Sequence, residues 1–369
     1  MLSILDNIYG DALYYYDKSI FMSSQNQYKI KCINGDFQVT EVPLSPNLKP
    51  QKPYQLTYIW LQKSGFTTFD AIEQIKNFFK IAFDDVSSQG LKDEDAITEQ
   101  IISIKKVLRN KDVIAFNKRH KFKNKFLLIK HIIGYGNEPV KERMLHGNSF
   151  RIIVRNLENT LVNDLLCYIS NRRHYHFVNY YDNQRFGMLG GPYNTHLIGK
   201  AIVKNDWERA YGHVKITNNI SSEIIAKAKH AIDFKKIFKE MDPRKVSFFV
   251  SSYNSFLWNT QASSIVKKYS KSKCYLFENV GRLHLPVGNL FQCPHICEAK
   301  GYEFMAKKLS VRPKINKRNL IVATTVYAGN LEKDELHKNM KKLSLSFFLP
   351  TGSYATMIIK QLFLNLKNK

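Results

Sequence analysis

The sequence predicts an α+β fold, on three features of its patterning. Apolar residues recur at helical spacing in several stretches, β-branched and aromatic runs of strand length stand between them, and no internal repeat or long low-complexity linker interrupts the chain. From Thr68 to Phe83, Phe69, Ile72, Ile75, Phe79 and Ala82 recur every three or four residues, which predicts an amphipathic helix with Thr68 as N-cap and Asp70 in its first turn. Phe126 to Ile133 and Phe150 to Val154 read as strands of one sheet, the second bounded by Gly147-Asn148 and Asn156. Around residue 205 the pattern turns helical. Ser222 is expected to cap a helix reaching Met241, ended by Asp242-Pro243, and another helix is expected over Phe256 to Lys268. Leu345 to Leu349 is strand-like, and Gly352 then opens a helix carrying Ala355, Ile358, Ile359, Leu362, Phe363 and Leu366.

Composition narrows the functional classes. Among 369 residues, 56 Lys and Arg against 31 Asp and Glu leave a net charge of +25, so the summed field favours a polyanionic partner. With 44% hydrophobic residues the chain buries a real core, which excludes a basic disordered tail, and its length suggests two domains. Basic runs at residues 117–125 and 312–318 are solvated faces if taken singly; the excess as a whole is harder to dismiss. Twenty Tyr and twenty-four Phe supply the core and rings able to stack on unstacked RNA bases. Five cysteines, an odd number in a chain of this size, suggest a reducing compartment rather than a disulfide scaffold. Cys293-Pro294-His295-Ile296-Cys297 has C-x3-C spacing with no second Cys or His pair at a zinc-like interval, so no metal is expected. The N-terminus lacks the basic start and apolar run of a signal peptide, and nowhere do about 18 uncharged apolar residues run together. A cytoplasmic protein without membrane contact is expected.

The densest chemistry lies in Gly90-Leu91-Lys92-Asp93-Glu94-Asp95-Ala96-Ile97-Thr98-Glu99-Gln100. Gly90 permits positive φ or a close backbone approach, and Lys92 beside Asp93 offers a cation to hold a carboxylate ionised, as a nucleophile or base requires. Asp93 and Asp95 also raise the possibility of a glycosidase pair, but only proximity nominates Asp95 as its acid.

This segment resembles the G-x-K-D-x-x-A-x-T-x-Q fingerprint of the TruD family of tRNA pseudouridine synthases at Gly90, Lys92, Asp93, Ala96, Thr98 and Gln100. Asp36-Phe37-Gln38-Val39-Thr40-Glu41 looks like the family's D-F-x-V-x-E, and Leu61, Lys63, Gly65 and Thr68 fit its L-x-K-x-G-x-x-T. Asn179-Tyr180-Tyr181-Asp182-Asn183-Gln184-Arg185-Phe186-Gly187 is similar to N-Y-F-G-x-Q-R-F-G, with Tyr181 in place of Phe and Asp182 in place of Gly. Further matches at Gly199-Lys200-Ala201, Asp206-Trp207, residues 252–259 and residues 349–356 extend the resemblance nearly end to end. Asn254, Trp258 and Gln361 are departures, standing where Gln, Phe and Glu are more usual.

The resemblance implies a pseudouridine-synthase core with a mostly antiparallel sheet flanked by helices, interrupted by an inserted α+β TRUD domain. The core would be residues 1–204 and 326–369, the insertion 205–325. It implies isomerisation of uridine to pseudouridine in tRNA, at position thirteen of the D-arm, without a cofactor and with no obligatory protein partner. Asp93 would act as nucleophile or base on a flipped-out uridine. Phe37, Asn179, Tyr181, Lys92 and Arg185 would bind substrate, with Lys92 pairing with Asp93 or meeting phosphate. Glu41, Lys63, Thr98, Gln100, Gln184 and Phe186 would support them, Thr98 and Gln100 by holding the Asp93 loop. The rival reading is a catalytically inactive RNA-binding or RNA-folding protein on the same fold, against which the intact Lys92-Asp93 pair argues.

Overall fold

The computed structural model describes residues 27–44, 53–123, 125–141, 144–172, 174–187, 193–216, 233–277, 279–287 and 292–366. In chain order the strands and helices are β1 (Phe37–Pro43), β2 (Leu56–Ser64), α1 (Thr68–Phe79), β3 (Val86–Ser88), β4 (Ile97–Ile104), α2 (Asn110–Arg119), β5 (Phe126–Gly136), β6 (Leu145–Leu157), α3 (Asn159–Ser170) and β7 (Tyr175–Val178). Then come α4 (Thr195–Val203), α5 (Trp207–Ile216), α6 (Phe234–Glu240), α7 (Pro243–Tyr269), β8 (Ser272–Phe277), β9 (Gly281–Pro286), β10 (Ile296–Met305), β11 (Ser310–Asn319), β12 (Ile321–Thr324), β13 (Tyr327–Lys333), β14 (Lys341–Pro350) and α8 (Ala355–Leu366). Among the described residues the chain divides into two compact units and passes between them at 176/177 and 321/322, against expected boundaries of 204/205 and 325/326.

The discontinuous unit, reaching His176 and resuming at Val322, carries an eight-stranded sheet in the order β13-β14-β6-β1-β4-β2-β5, with β3 on β4. Its pairings are antiparallel except β1 with β4, which places Val39 opposite Thr98 and so sets the D-F-x-V-x-E strand beside the strand that leaves the Asp93 loop. Both β2 and β4 are buried along most of their length, as a central strand covered on its faces must be. Ile59, Leu61, Ile102, Leu127 and Ile129 of the sheet pack with Ile72, Ile75 and Phe79 of α1 and Phe116 of α2. Each such side chain contributes about 1.5–3 kcal/mol when fully buried.

Local chemistry moves several element ends from their expected places. Thr67 caps α1, not Thr68: its hydroxyl accepts from Asp70 N–H at 3.0 Å while Asp70 accepts from Thr67 N–H at 3.2 Å. That leaves the buried Thr68 hydroxyl available to a neighbouring loop. The helix stops at Phe79 because Lys80 turns left-handed (φ 53°) and its N–H closes on the Lys76 carbonyl. β6 runs through Gly147, Asn148 and Asn156, expected as its bounds, because β14 and β1 pair along it on either side.

A buried ionic cluster closes the discontinuous sheet on itself. Arg155 on β6, 1% exposed, donates to Asp36 just before β1 and to Asp334 in the β13–β14 loop at 2.8 and 2.9 Å, both carboxylates fully buried, and reaches Glu335 at 3.0 Å. Asp334 also accepts the N–H groups of Asn156 and Leu336, so its charge is distributed over several donors.

The continuous unit, Phe177–Ile321, is organised around the 27-residue α7. Asp242-Pro243, expected to end a helix, opens this one: Asp242 accepts from Arg244 N–H and Pro243 fills the first turn, where a missing N–H costs nothing. Helix α4 packs on it through Ile198, Ala201 and Ile202 against Phe249 and Val250. Gly199 allows that approach, since a Cβ there would lie 2.0 Å from the Phe249 carbonyl oxygen. Of the helix expected from Ser222 to Met241, residues up to 232 lie outside the described residues, and the remainder is the short α6 capped by Asp233. Strands β10 and β11 pair antiparallel, as do β8 and β9. Among the described residues no helix is long and apolar enough to cross a membrane.

Candidate active site

The Asp93 loop joins β3 to β4, and its backbone is pinned from beneath by β2 and the start of α1. Carbonyl groups of an irregular loop that turn away from water need donors other than a neighbouring strand's ladder. Lys63, fully buried at the end of β2, supplies three: its ammonium donates to the carbonyls of Phe66 (2.7 Å), Lys92 (3.1 Å) and Asp93 (2.8 Å). Burial lowers the Lys63 pKa to about 8, with Asp93 opposing the shift. Gly65, at φ +71°, donates its N–H to the Glu94 carbonyl, and a Cβ there would meet Lys125 Cβ at 2.7 Å. The Thr68 hydroxyl accepts from Lys92 N–H at 2.9 Å. Lys63, Gly65 and Thr68, three of the four fixed positions of the L-x-K-x-G-x-x-T element, thus each bind the loop directly.

The carboxylate itself is paired, by a residue the sequence did not nominate. Lys31 donates to Asp93 Oδ2 at 2.6 Å, the two side chains being 21% and 32% exposed. The expected partner Lys92 points elsewhere: its ammonium lies 2.7 Å from Glu41 in a pair that is almost wholly buried. Burial raises the Glu41 carboxyl pKa, while Lys92 and the Ile101 N–H, which bonds Oε2 at 2.8 Å, pull it back. Gly90 takes no positive φ, and a Cβ there would approach only the Lys92 ammonium at 3.9 Å, so neither expected reason for a glycine applies. Asp95 is exposed.

Around this pair the remaining matched residues of the unit divide. Phe37 is 3% exposed, edge-on to Phe150, with the Lys31 ammonium 4.3 Å from its ring centroid. Gln100 is buried and reaches the loop indirectly, its Oε1 accepting a long 3.4 Å bond from Thr68. Thr98 is fixed by its backbone between β1 and β2, and its buried hydroxyl has no partner among the described residues, so it is not seen to hold the loop as expected.

In the other unit, Tyr181 is clamped through its backbone: N–H donates to Asn259 Oδ1 and the carbonyl accepts from Asn259 Nδ2, both at 2.9 Å. Its ring meets Trp258 edge-on (5.7 Å, 88°), and the Arg318 guanidinium lies over it, 3.8 Å from the centroid. Asn179 is 3% exposed; its carbonyl accepts from Arg318 at 2.7 Å, and its Oδ1 is a buried acceptor without a partner among the described residues. Arg185, expected to bind substrate, donates instead to side-chain hydroxyls of the protein, those of Ser251 and of Ser255 (3.0 Å) on α7. Phe186 is fully buried against His196, and Gln184 is exposed.

Three contributors escaped the sequence reading. Lys31 carries no signal of its own among 56 basic residues. Arg318 was hidden inside the run at 312–318, two members of which, Arg312 and Lys317, pair across the hairpin with Glu303 and Glu298. Thr68 was assigned to the helix cap. Cys293 and Cys297 are buried free thiols, burial pushing the Cys297 pKa up to about 12, and among the described residues no three His, Cys, Asp or Glu side chains are placed to hold a metal.

The family model described as tRNA pseudouridine synthase D (TruD) matches residues 17–224. A probable tRNA pseudouridine synthase D 2 of Methanocaldococcus jannaschii is 27% identical over 84% of this chain and 86% of its own length. A tRNA pseudouridine synthase D of Aquifex aeolicus is 23% identical, covering 91% of this chain and 98% of the relative. A crystal structure of a putative tRNA pseudouridine synthase D from Methanosarcina mazei superposes with a TM-score of 0.57 at 20% identity, covering 93% of this chain and 95% of that one, and so shares the fold. The protein is an RNA-acting isomerase of the pseudouridine-synthase class. Within that class, the chain belongs to the TruD family.

Proposed function

We propose that this chain isomerises uridine to pseudouridine in tRNA, at position thirteen of the D-arm, with Asp93 as the group that acts on the sugar. The reaction breaks the N1–C1′ bond, forms C5–C1′, moves a proton from C5 to N1 overall, and gains or loses no atoms, so no cofactor is required. Asp93 serves either as nucleophile at C1′ or as base toward the neighbouring sugar proton, and both roles need an ionised carboxylate. The observation that carries the reading is the Lys31–Asp93 ion pair on a loop whose carbonyls are gathered by the buried Lys63. The ion pair orients the carboxylate, and a pinned backbone keeps it aimed.

Tyr181 and Asn179 are assigned to the substrate uridine, Tyr181 by its ring and Asn179 by the buried Oδ1 that has no partner among the described residues. The internal contacts of Phe37, Lys92 and Arg185 support a shaping role for them, together with Glu41, Lys63, Gln100 and Phe186. The net charge of +25 suits the RNA, and cytoplasmic tRNA is the substrate pool we assign. Incubating purified protein with unmodified tRNA and mapping pseudouridine by carbodiimide primer extension tests the proposal. A single new carbodiimide-dependent stop, one nucleotide 3′ of D-arm position thirteen, is expected. Binding of tRNA with no pseudouridine formed would replace this reading with that of an inactive RNA-binding protein.

A further inference from the structure

Arg318 sits at the end of a basic run, yet it turns inward. Arg312 and Lys317 of the same strand meet exposed glutamates across the hairpin, whereas Arg318 is placed opposite the buried Cys297. From there its guanidinium reaches two groups of one short segment. It lies 3.8 Å from the Tyr181 ring centroid, a stacking separation, and donates to the Asn179 carbonyl at 2.7 Å. Trp258, 5.1 Å from the same guanidinium, stands edge-on to Tyr181 and is itself anchored by its indole N–H to the Cys297 carbonyl at 3.1 Å. Asn259 holds the Tyr181 backbone in both directions.

Flat delocalised charge is what this arrangement needs. A lysine ammonium is a point donor that could serve the Asn179 carbonyl or the ring, but its geometry does not offer a plane to one and a directed N–H to the other. We propose that Arg318 is a positioning residue for the isomerisation, fixing the plane of Tyr181 and the carbonyl of Asn179 so that ring and amide are presented to the uridine as one rigid unit. This rests on the assignment of Tyr181 and Asn179 to the substrate. It assigns the basic run's last member to the reaction rather than to phosphate binding.

A double-mutant cycle between Arg318 and Tyr181 tests this, using the full chain and unmodified tRNA, with single-turnover rate at saturating RNA and Kd measured separately. Arg318→Met and Arg318→Lys are expected to lower the saturating rate by about tenfold or more, and to change Kd by less than about threefold, because the lost contacts act through Tyr181. In a Tyr181→Ala background, Arg318→Met should add little. Thermal melts identify any variant that does not fold, and Arg318→Lys, close in size and charge, then carries the test. Three results would overturn the proposal. Full activity of Arg318→Lys would mean that charge alone suffices. A raised Kd, with the slope of log K against log salt shallower by about one, would make Arg318 a phosphate contact. Effects of Arg318→Met and Tyr181→Ala that multiply would show independent action. Should Tyr181→Ala leave turnover unchanged, the substrate assignment itself fails, a result distinct from an active Arg318 variant beside an impaired Tyr181→Ala.

Discussion

At the scale of single residues, the chemistry concentrates on one carboxylate and the two lysines that serve it differently. Asp93→Asn keeps the shape of the loop and removes the charge, so pseudouridine formation should fall to background while tRNA binding, measured by filter retention, survives. Asp95→Asn, at an exposed position, should change turnover by less than about threefold; equal loss in the two variants would shift the assignment away from Asp93. Lys63 makes a second prediction, in pH. Its ammonium titrates at about 8 in the folded protein, against an ordinary value of 10.5. Above about pH 8 the charge that gathers the Phe66, Lys92 and Asp93 carbonyls is lost, and single-turnover rates should decline. Stability should move the other way: between those two values the unfolded chain holds more protons than the folded one, so this group's contribution to unfolding free energy rises with pH. A thermal midpoint that fell together with the rate would assign the alkaline decline to unfolding instead.

At the scale of elements, the β2–α1 connection is the scaffold of the site. Gly65→Ala would force a side chain into left-handed backbone and against Lys125, costing roughly 1–2 kcal/mol. Urea unfolding should register that loss, and turnover should fall further than stability because relieving the clash with Lys125 shifts the residue-65 N–H away from the Glu94 carbonyl that it holds. How much of this was legible in sequence depends on the range of the interaction. The helical period of residues 68–79 and the strand character of β5, β6 and β14 were readable from local pattern, as was the density of chemistry in the Asp93 loop. Element ends were misread where a competing local bond won, as at Thr67, Lys80 and Pro243. What joins side chains across dozens of residues left no mark: the Lys31–Asp93 pair spans 62 positions and the Arg318–Asn179 bond 139. The Lys92–Asp93 pairing, suggested by adjacency, failed because a neighbouring lysine has as its nearest buried acid Glu41 on the adjoining strand.

At the scale of the whole molecule, one unit is written in two pieces of sequence, and Arg155 is where they are bound together. Arg155→Met would strand the buried Asp36 and Asp334 charges, a loss of about 3–5 kcal/mol that chemical denaturation would measure as a lower midpoint for the discontinuous unit. If unfolding were unchanged, the cluster would not be what holds the two pieces together. The same architecture has a consequence in time. A ribosome making this chain delivers β6 long before β14, its partner along one edge, has been polymerised. At about 5–20 residues per second the intervening stretch takes roughly 10 to 40 s, during which β6 presents an open hydrogen-bonding edge and Arg155 lacks its later acids. The nascent unit therefore waits, half-built, while the inserted one can fold, and the last strand to leave the tunnel is the one that seals the sheet.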